Sequence, residues 1–262
     1  MLSQQYVGVT GAKTLDEALW LADAFTRHGF SRNATHIGMI GYLISTKSLA
    51  GLPMKNPRYP AFAEIPAMLN ATNGRALNML HHGTMPQNFG HVREDIETAF
   101  ETAGIYETGL CRALQLNLQW PDPELFRDVL NKFPEMRMVL SVHPQQLRPT
   151  EISDRVAQYK GLASDVLIDP SQGEGVAIDL STAVQIYTAI RAKDNGMLIG
   201  FAGGLGGEDS EERIRALKDK MPSGNLFSVD AEKALRDESD SILDRSKVER
   251  YLKASSIALI QK

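Results

Sequence analysis

Short apolar runs recur along this chain of 262 residues, with a mean spacing of about 31 residues between the first, near Tyr6, and the last, near Asn225. Segments with helical spacing of apolar residues lie between these runs. The runs at 139–142, 166–170 and 197–201 are continuously apolar, as in parallel sheets covered on both faces. Eight strand–helix pairs at this spacing predict an α/β protein with the (β/α)8 fold of a TIM barrel, whose usual length is about 250 residues. An open doubly wound sheet is the rival, and the unbroken pattern favours closure.

No linker or low-complexity tract divides the chain, so we expect one barrel domain over residues 1–262. The one oversized connection covers residues 45–58 and is rich in Lys, Pro and Gly. A loop of this length is a lid or binding loop, or else a tolerated insertion, and both interpretations stay open. At the first predicted helix, Thr14 and Glu17 have the spacing of a capping box.

Composition limits the partners and the compartment. Lys and Arg total 28 against 32 Asp and Glu, and a net charge of -4 gives no basic field for nucleic acid. The single cysteine, Cys111, excludes an intrachain disulfide and a multi-thiolate metal site, which suits a reducing compartment. No apolar stretch approaches the ~20 residues of a membrane helix, and no signal peptide is evident. We therefore expect a cytoplasmic protein that is a monomer or homodimer and binds neither membranes nor nucleic acid.

Polar residues at the carboxyl ends of the strands carry the most functional weight, because barrel enzymes assemble their active sites there. Asp169 follows strand 6, His143 ends strand 5, and His82 ends strand 3. A carboxyl group and imidazoles can transfer protons, so Asp169 is a candidate acid with His82 or His143 as base. The structural alternative is that Asp169 caps its turn. The three could also bind a divalent metal, but no H-x-H or H-E-x-x-H spacing supports this, and we expect no metal.

A glycine-rich turn, FAGGLGGED at 201–209, follows strand 7 and opens a helix. Glycine lets backbone N–H groups approach a ligand, and a helix N-terminus favours an anion. Strand–helix corners also use glycine for positive φ alone. Its place after strand 7 favours phosphate binding, with Gly203 and Gly204 as candidate residues.

The strand-end motifs together resemble the phosphoribosylanthranilate isomerase family, barrel enzymes of tryptophan biosynthesis that perform an Amadori rearrangement. The resemblance covers nearly the whole chain. The motifs are YVGVTG (6–11), NPRYP (56–60), LQLNLQ (114–119), VLIDPSQGEGVAIDL (166–180), FAGGLGGED (201–209) and the tail from SVDAEKAL (228–235).

The resemblance implies a role for several residues. Asp169 matches the acid that protonates the ribose ring oxygen, and Arg58 matches an arginine that engages the anthranilate carboxylate. Gly203 and Gly204 match the phosphate turn. The cysteine that removes the C2′ proton in the family falls on Val7, which cannot accept a proton.

At strand 8 the family's Ser-Gly phosphate turn falls on Lys233 and Ala234, and Asn117 replaces the strand 4 histidine. Lys233 can hold a phosphate as a point charge, whereas Glu232 beside it would repel one. Asp230, at the end of strand 8, completes the candidate binding residues.

The sequence thus predicts an isomerase-type enzyme that acts on a small phosphorylated sugar-like substrate by acid/base proton transfer and uses no cofactor. One alternative is a metal-dependent lyase or epimerase with His82, His143 and Asp169 as ligands. The other is a barrel without catalysis that binds a ligand.

Overall fold

The computed structural model describes residues 4–83, 86–144, 147–170, 179–194, 196–222 and 224–260. Across these residues, eight parallel strands form a closed barrel in chain order, so the last strand pairs with the first. This confirms the predicted α/β class and the TIM barrel. The strands are β1 (Gln5–Thr10), β2 (His36–Ile44), β3 (Leu77–Gly83), β4 (Ala113–Asn117), β5 (Arg137–Val142), β6 (Asp165–Ile168), β7 (Leu198–Phe201) and β8 (Ser228–Ala231).

Helices follow the strands and cover the outside of the barrel. The helices are α1 (Leu15–Arg27), α2 (Thr46–Leu49), α3 (Ile65–Thr72), α4 (Val92–Glu101), α5 (Pro123–Lys132), α6 (Pro149–Val156), α7 (Leu180–Lys193), α8 (Ser210–Lys220) and α9 (Arg245–Leu259). The predicted capping box at the start of α1 is confirmed, because Thr14 accepts from the N–H of Glu17 and Glu17 accepts from the N–H of Thr14. Within the described residues, no helix is both long and apolar enough to span a bilayer.

Side chains of each strand alternate between the barrel axis and the helix layer. One buried cluster fills the axis with side chains from successive strands: Tyr6, Ile37, Met39, Met79, Ala113, Val139, Leu167 and Ala202. A larger cluster, which includes Val7 and Val9, packs between the barrel and the helices. Both faces of every strand are therefore buried, which explains the continuously apolar runs.

The amino-terminal end of the barrel contains a buried ion pair. Nε of Arg137, on β5, donates to Oδ2 of Asp165 on β6 at 2.8 Å, and its Nη2 donates to Oδ1 at 2.5 Å. Both side chains are 3% exposed. Arg137 also lies over the ring of Tyr6, with 5.5 Å between the guanidinium carbon and the ring centroid. This pair lies at the end of the barrel opposite to the carboxyl ends of the strands.

The long connection at 45–58 contains a short helix, α2, which the sequence did not indicate. Ser45 caps this helix by accepting from the N–H of Ser48. At the far end of the connection, the buried Arg58 reaches residues that follow β8. The connection after β2 is therefore attached to the segment after β8, which lies on the other side of β1 at the barrel mouth.

Candidate active site

A pocket opens at the carboxyl ends of the strands. Its lining comes from β1 to β4, from β6 to β8 and from the loops after them. The lining residues are Thr10, Leu43, Tyr59, His81, Gly83, Gln115, Asn117, Leu167, Asp169, Ala202, Gly203, Gly204, Leu205, Gly206, Asp230, Ala231, Glu232, Lys233 and Ala234. Five residues singled out from the sequence lie here, namely Asp169, Gly203, Gly204, Asp230 and Lys233. The place of this pocket is that of active sites in barrel enzymes.

Asp230 is the most strongly perturbed acid of the pocket. Its side chain ends β8 and is almost completely buried, at 5% exposure. Burial raises the pKa of Asp230 from 3.8 to about 8, and the negative charges of Glu232 and Asp169 act in the same direction. The hydroxyl of Thr10 opposes them by donating to Oδ1 and Oδ2 at 3.1 and 3.0 Å. Asp230 is therefore mainly a neutral carboxylic acid at pH 7.

Two further carboxyl groups accompany Asp230. Glu232 lies two residues further along the loop, and burial raises its pKa while the nearby Arg58 opposes that rise. Asp169 follows β6, and its backbone carbonyl accepts a hydrogen bond from a ring nitrogen of His143 at 2.8 Å. A carboxyl group with a raised pKa and two further carboxyl groups thus line the same pocket, an arrangement that enzymes use for acid/base chemistry.

His81 lies in the pocket, although the sequence favoured its neighbour His82. His81 is 4% exposed, and burial lowers its pKa from 6.5 to about 3. Its Nε2 has no hydrogen-bond partner among the described residues. The available sequence signal was weak, because adjacent residues of a strand point to opposite faces and both faces of β3 are buried.

The turn after β7 has the backbone geometry of a glycine corner. Gly203 and Gly204 have φ of +91° and +65°, a region that disfavours other residues. Within the described part of the chain, their backbone N–H groups make no hydrogen bond. Lys233 lines the same pocket from the single helical turn after the neighbouring strand β8. These donors and the ammonium group form the candidate anion site.

The start of α8 adds less to this anion site than the sequence suggested. Asp209 precedes the helix, and Glu211 and Glu212 occupy its first turn. Acidic side chains there already interact with the positive end of the helix dipole. Anion binding at this rim therefore depends on the glycine N–H groups and on Lys233.

The structure does not bring His82 into the pocket. His82 is fully buried on the outer side of β3, where Nε2 lies 2.9 Å from Oδ2 of Asp95 on α4. The same carboxyl oxygen accepts from the hydroxyl of Thr46 on α2 at 2.6 Å. His82 therefore joins the barrel wall to two helices. Val7, at the position matched to the family's cysteine, also packs in the outer apolar layer and does not line the pocket.

His143 lies behind the pocket wall and connects two lining residues. One ring nitrogen, Nδ1, is 2.8 Å from the carbonyl oxygen of Asp169, and Nε2 is 3.1 Å from Oδ1 of Asn117. Because a carbonyl only accepts, Nδ1 carries the proton. Nδ1 donates to the residue after β6 and Nε2 lies against the side-chain amide at the end of β4, so His143 positions these two strand ends and does not itself line the pocket.

Arg58 is occupied by acidic side chains of this chain. Its Nε donates to Oδ1 and Oδ2 of Asp240 at 3.0 and 2.9 Å, and its Nη2 donates to Oδ2 at 2.7 Å. Nη1 donates to Oε1 of Glu232 at 3.1 Å. Arg58 does not line the pocket, although Glu232 does. A substrate carboxylate would have to compete with both acids for this guanidinium.

The positions of the candidate histidines and of Asp169 also determine whether they can bind a metal together. Among the described residues, no group of three or more His, Cys, Asp or Glu side chains has the arrangement of a metal site. His82 lies on the outer face of the barrel wall, whereas Asp169 lines the pocket, so His82, His143 and Asp169 do not form one ligand set. The buried thiol of Cys111 lies outside the pocket, and burial raises its pKa to about 12.

Comparison with known proteins supports the fold. No protein-family model and no curated protein sequence matches the chain. Among solved structures, the chain is similar to a phosphoribosyl anthranilate isomerase from Thermococcus kodakaraensis, with a TM-score of 0.59 and 15% sequence identity. The similarity covers 95% of this chain and 98% of that one. At this identity the likeness concerns the fold, so the chain shares its barrel architecture with an isomerase.

Proposed function

We propose that this protein is an isomerase-type enzyme that acts on a small phosphorylated sugar-like substrate by acid/base proton transfer. The observation that carries the proposal is the buried carboxyl group of Asp230, which retains its proton at pH 7 beside the carboxyl of Asp169. Asp230 donates a proton to an oxygen of the substrate, and Asp169 accepts the proton that leaves carbon. The two groups exchange roles when the product forms, so the protein ends each cycle unchanged.

The phosphate of the substrate binds at the turn after β7. The N–H groups of Gly203 and Gly204 donate to its oxygens, and Lys233 supplies one positive charge. Among the described residues that line the pocket, Lys233 is the one Lys or Arg, which favours a single phosphate over a ligand with several anionic groups.

The structural neighbour is a phosphoribosyl anthranilate isomerase, and isomerisation of phosphoribosylanthranilate is one specific reaction of the proposed type. Two features favour a related substrate over phosphoribosylanthranilate itself. Val7 stands where the resemblance places the cysteine base and packs away from the pocket. Arg58, matched to the residue that engages the anthranilate carboxylate, already binds Asp240 and Glu232. We therefore expect weak or no turnover of phosphoribosylanthranilate and turnover of a phosphorylated sugar without the aromatic acid.

The test is turnover of phosphoribosylanthranilate by fluorescence and of phosphorylated aldoses by product analysis, with the wild type and the Asp169→Asn and Asp230→Asn variants. Loss of one catalytic group costs about 10²–10⁴ in rate. Asp219→Asn, on the exposed face of α8, is the matched control and keeps full activity. Wild-type activity that survives both pocket substitutions would remove these acids from the mechanism.

The same experiment separates the alternatives. Binding of phosphorylated sugars without turnover would indicate a barrel that only binds its ligand. Activity lost after chelation and restored by a divalent cation would favour the metal-dependent lyase or epimerase. Full activity in a metal-free preparation supports the proposal.

A further inference from the structure

Two buried polar side chains of the pocket have atoms without partners. They are His81, through Nε2, and Gln115, through Oε1, and both atoms lack a hydrogen bond among the described residues. The side chains are 4% and 7% exposed and both line the pocket. A buried polar atom without a partner costs free energy, so native proteins usually supply one from the chain, from water or from a ligand.

The two residues lie at matched positions of neighbouring strands. His81 on β3 and Gln115 on β4 are register partners, so their side chains leave the sheet side by side toward the barrel axis. Two residues earlier on the same strands, Met79 and Ala113 point to the same side and belong to the apolar cluster at the barrel axis. The unpaired atoms therefore form the polar floor of the pocket, directly above its apolar core.

Gly41 leaves space beside this floor. A Cβ at this position would lie 2.9 Å from Nε2 of His81 and 2.6 Å from Oγ1 of Thr10. Any side chain on β2 here would displace one of them. Thr10 in turn donates to Asp230. The space left by Gly41 is therefore bordered by the imidazole of His81 and by the hydroxyl that binds the carboxyl group of Asp230.

The ionisation of His81 limits its chemistry. Burial lowers its pKa to about 3, so the imidazole is neutral at pH 7 and is a poor proton acceptor. A neutral imidazole still offers one N–H donor and one lone pair, and Gln115 offers an amide oxygen that accepts. A hydroxyl group accepts one hydrogen bond and donates another, so it can bind both residues at once.

We propose that His81 and Gln115 form a subsite for a hydroxyl group of a sugar-like ligand and that His81 determines specificity for it. This inference deepens the proposed function, since the same pocket holds the acids and the glycine turn. The ligand hydroxyl accepts from Nε2 of His81 and donates to Oε1 of Gln115. Its neighbouring carbon and oxygen then face Asp230. His81 binds the substrate without exchanging a proton.

Calorimetric titration tests the subsite with two probes, D-ribose 5-phosphate and inorganic phosphate. We expect His81→Leu to weaken D-ribose 5-phosphate binding about tenfold, as for the loss of a hydrogen bond. Inorganic phosphate binding stays unchanged, because the glycine turn is intact. His81→Gln restores part of the sugar phosphate affinity. His91→Gln, at an exposed histidine, is the matched control and has no effect.

Equal weakening of both probes, or none, would overturn the subsite. Circular dichroism checks that His81→Leu folds, and Gln115→Leu gives an independent variant with the same expected pattern. If both variants bind D-ribose 5-phosphate as tightly as the wild type, the proposal is wrong.

The subsite and the proposed function can fail separately. Selective loss of sugar phosphate binding without any turnover would retain the subsite and reject the isomerase. If the wild type binds neither probe, phosphate-free D-ribose is titrated against protein with ¹⁵N-labelled histidine. A shift of the Nε2 resonance of His81 supports the subsite, and an unchanged resonance rejects it.

Discussion

The hydroxyl of Thr10 lies 3.1 Å from Oδ1 and 3.0 Å from Oδ2 of Asp230, although 220 residues separate the two in the chain. They meet because β1 and β8 pair and close the barrel, with Gly8 opposite Asp230 in the register. The absence of a side chain at Gly8 is required, since a Cβ there would lie 2.4 Å from Oδ1 of Asp230. Barrel closure therefore creates the hydrogen bond that opposes the effect of burial on this acid.

Removal of that hydroxyl is expected to make Asp230 a weaker acid. Thr10→Val keeps the shape of the side chain and removes the donor, and a hydrogen bond to a carboxylate favours its charged form. The pKa of Asp230 should therefore rise above about 8. Carboxyl ¹³C titration by NMR measures it. Thr188→Val, at an exposed threonine of α7, is the control. An unchanged or lower pKa would contradict the expectation.

The raised pKa of Asp230 also predicts how stability depends on pH. Its pKa is about 8 in the folded protein against 3.8 as the ordinary value, so between these values the folded state holds a proton that the unfolded state has released. The free energy of unfolding from this group is greatest below the lower value. It falls by up to about 1.4 kcal/mol per pH unit as pH rises through the window.

Asp230→Asn removes this titration. Urea unfolding from about pH 5 to pH 8 should show a steeper loss of stability for the wild type than for the variant. The difference between the two proteins isolates Asp230, because every other titrating group is shared. Parallel curves would show that Asp230 ionises normally in the folded state.

His82 should contribute to stability without contributing to the pocket. His82→Leu removes the hydrogen bond to Asp95 and leaves a buried carboxyl with the hydroxyl of Thr46 alone. We expect a loss of about 2 kcal/mol in the free energy of unfolding, as for a buried polar group that loses its partner. Binding of D-ribose 5-phosphate should stay as in the wild type. A selective loss of binding with normal stability would place His82 in the site after all.

The contrast between His81 and His82 shows what the sequence could not decide. The period of strands and helices predicts the barrel, and the barrel predicts which strand ends converge. Hydrophobicity does not show which of two adjacent histidines faces the axis, because in β3 the axis side and the helix side are both buried. The position of Asp230 and of the glycine turn at the barrel mouth could be predicted because they lie at the ends of their strands.

The hydrogen-bond partners of Arg58 could not be predicted from the sequence either. Its partner Asp240 lies 182 residues away and in a loop whose length carries no periodic signal. Asp240 has φ of +56°, a conformation that Asp and Asn adopt more readily than most residues. Such contacts depend on the path of two loops over the barrel mouth, which local sequence does not encode.

A double-mutant cycle measures the coupling energy between the side chains of Arg58 and Asp240. Asp240→Asn preserves the backbone preference, and Arg58→Met keeps the aliphatic length. Because the contact is a fork of several hydrogen bonds but lies partly in solvent, we expect a coupling energy of about 1 kcal/mol in urea unfolding. The same cycle on Arg27 and Glu249, an exposed ion pair, should give a smaller coupling energy. Zero coupling would mean that Arg58 is held by Glu232 alone.

The fully buried ion pair at the other end of the barrel should behave differently from this partly exposed pair. Arg137 and Asp165 are both 3% exposed, so each charge is shielded from water and depends on the other. Asp165→Asn removes the negative charge that faces the buried guanidinium of Arg137, and breaking a buried ion pair in this way costs about 3–5 kcal/mol. Urea unfolding should show this loss in the single variant.

Replacement of both partners tests whether the pair itself stabilises the barrel. Arg137→Met with Asp165→Leu removes both charges and their desolvation cost, so the double variant should regain most of the stability lost in Asp165→Asn. Tyr6, which packs against Arg137, would then contact an apolar side chain. A double variant as unstable as the single one would show that the ion pair stabilises this end of the barrel beyond what apolar packing supplies.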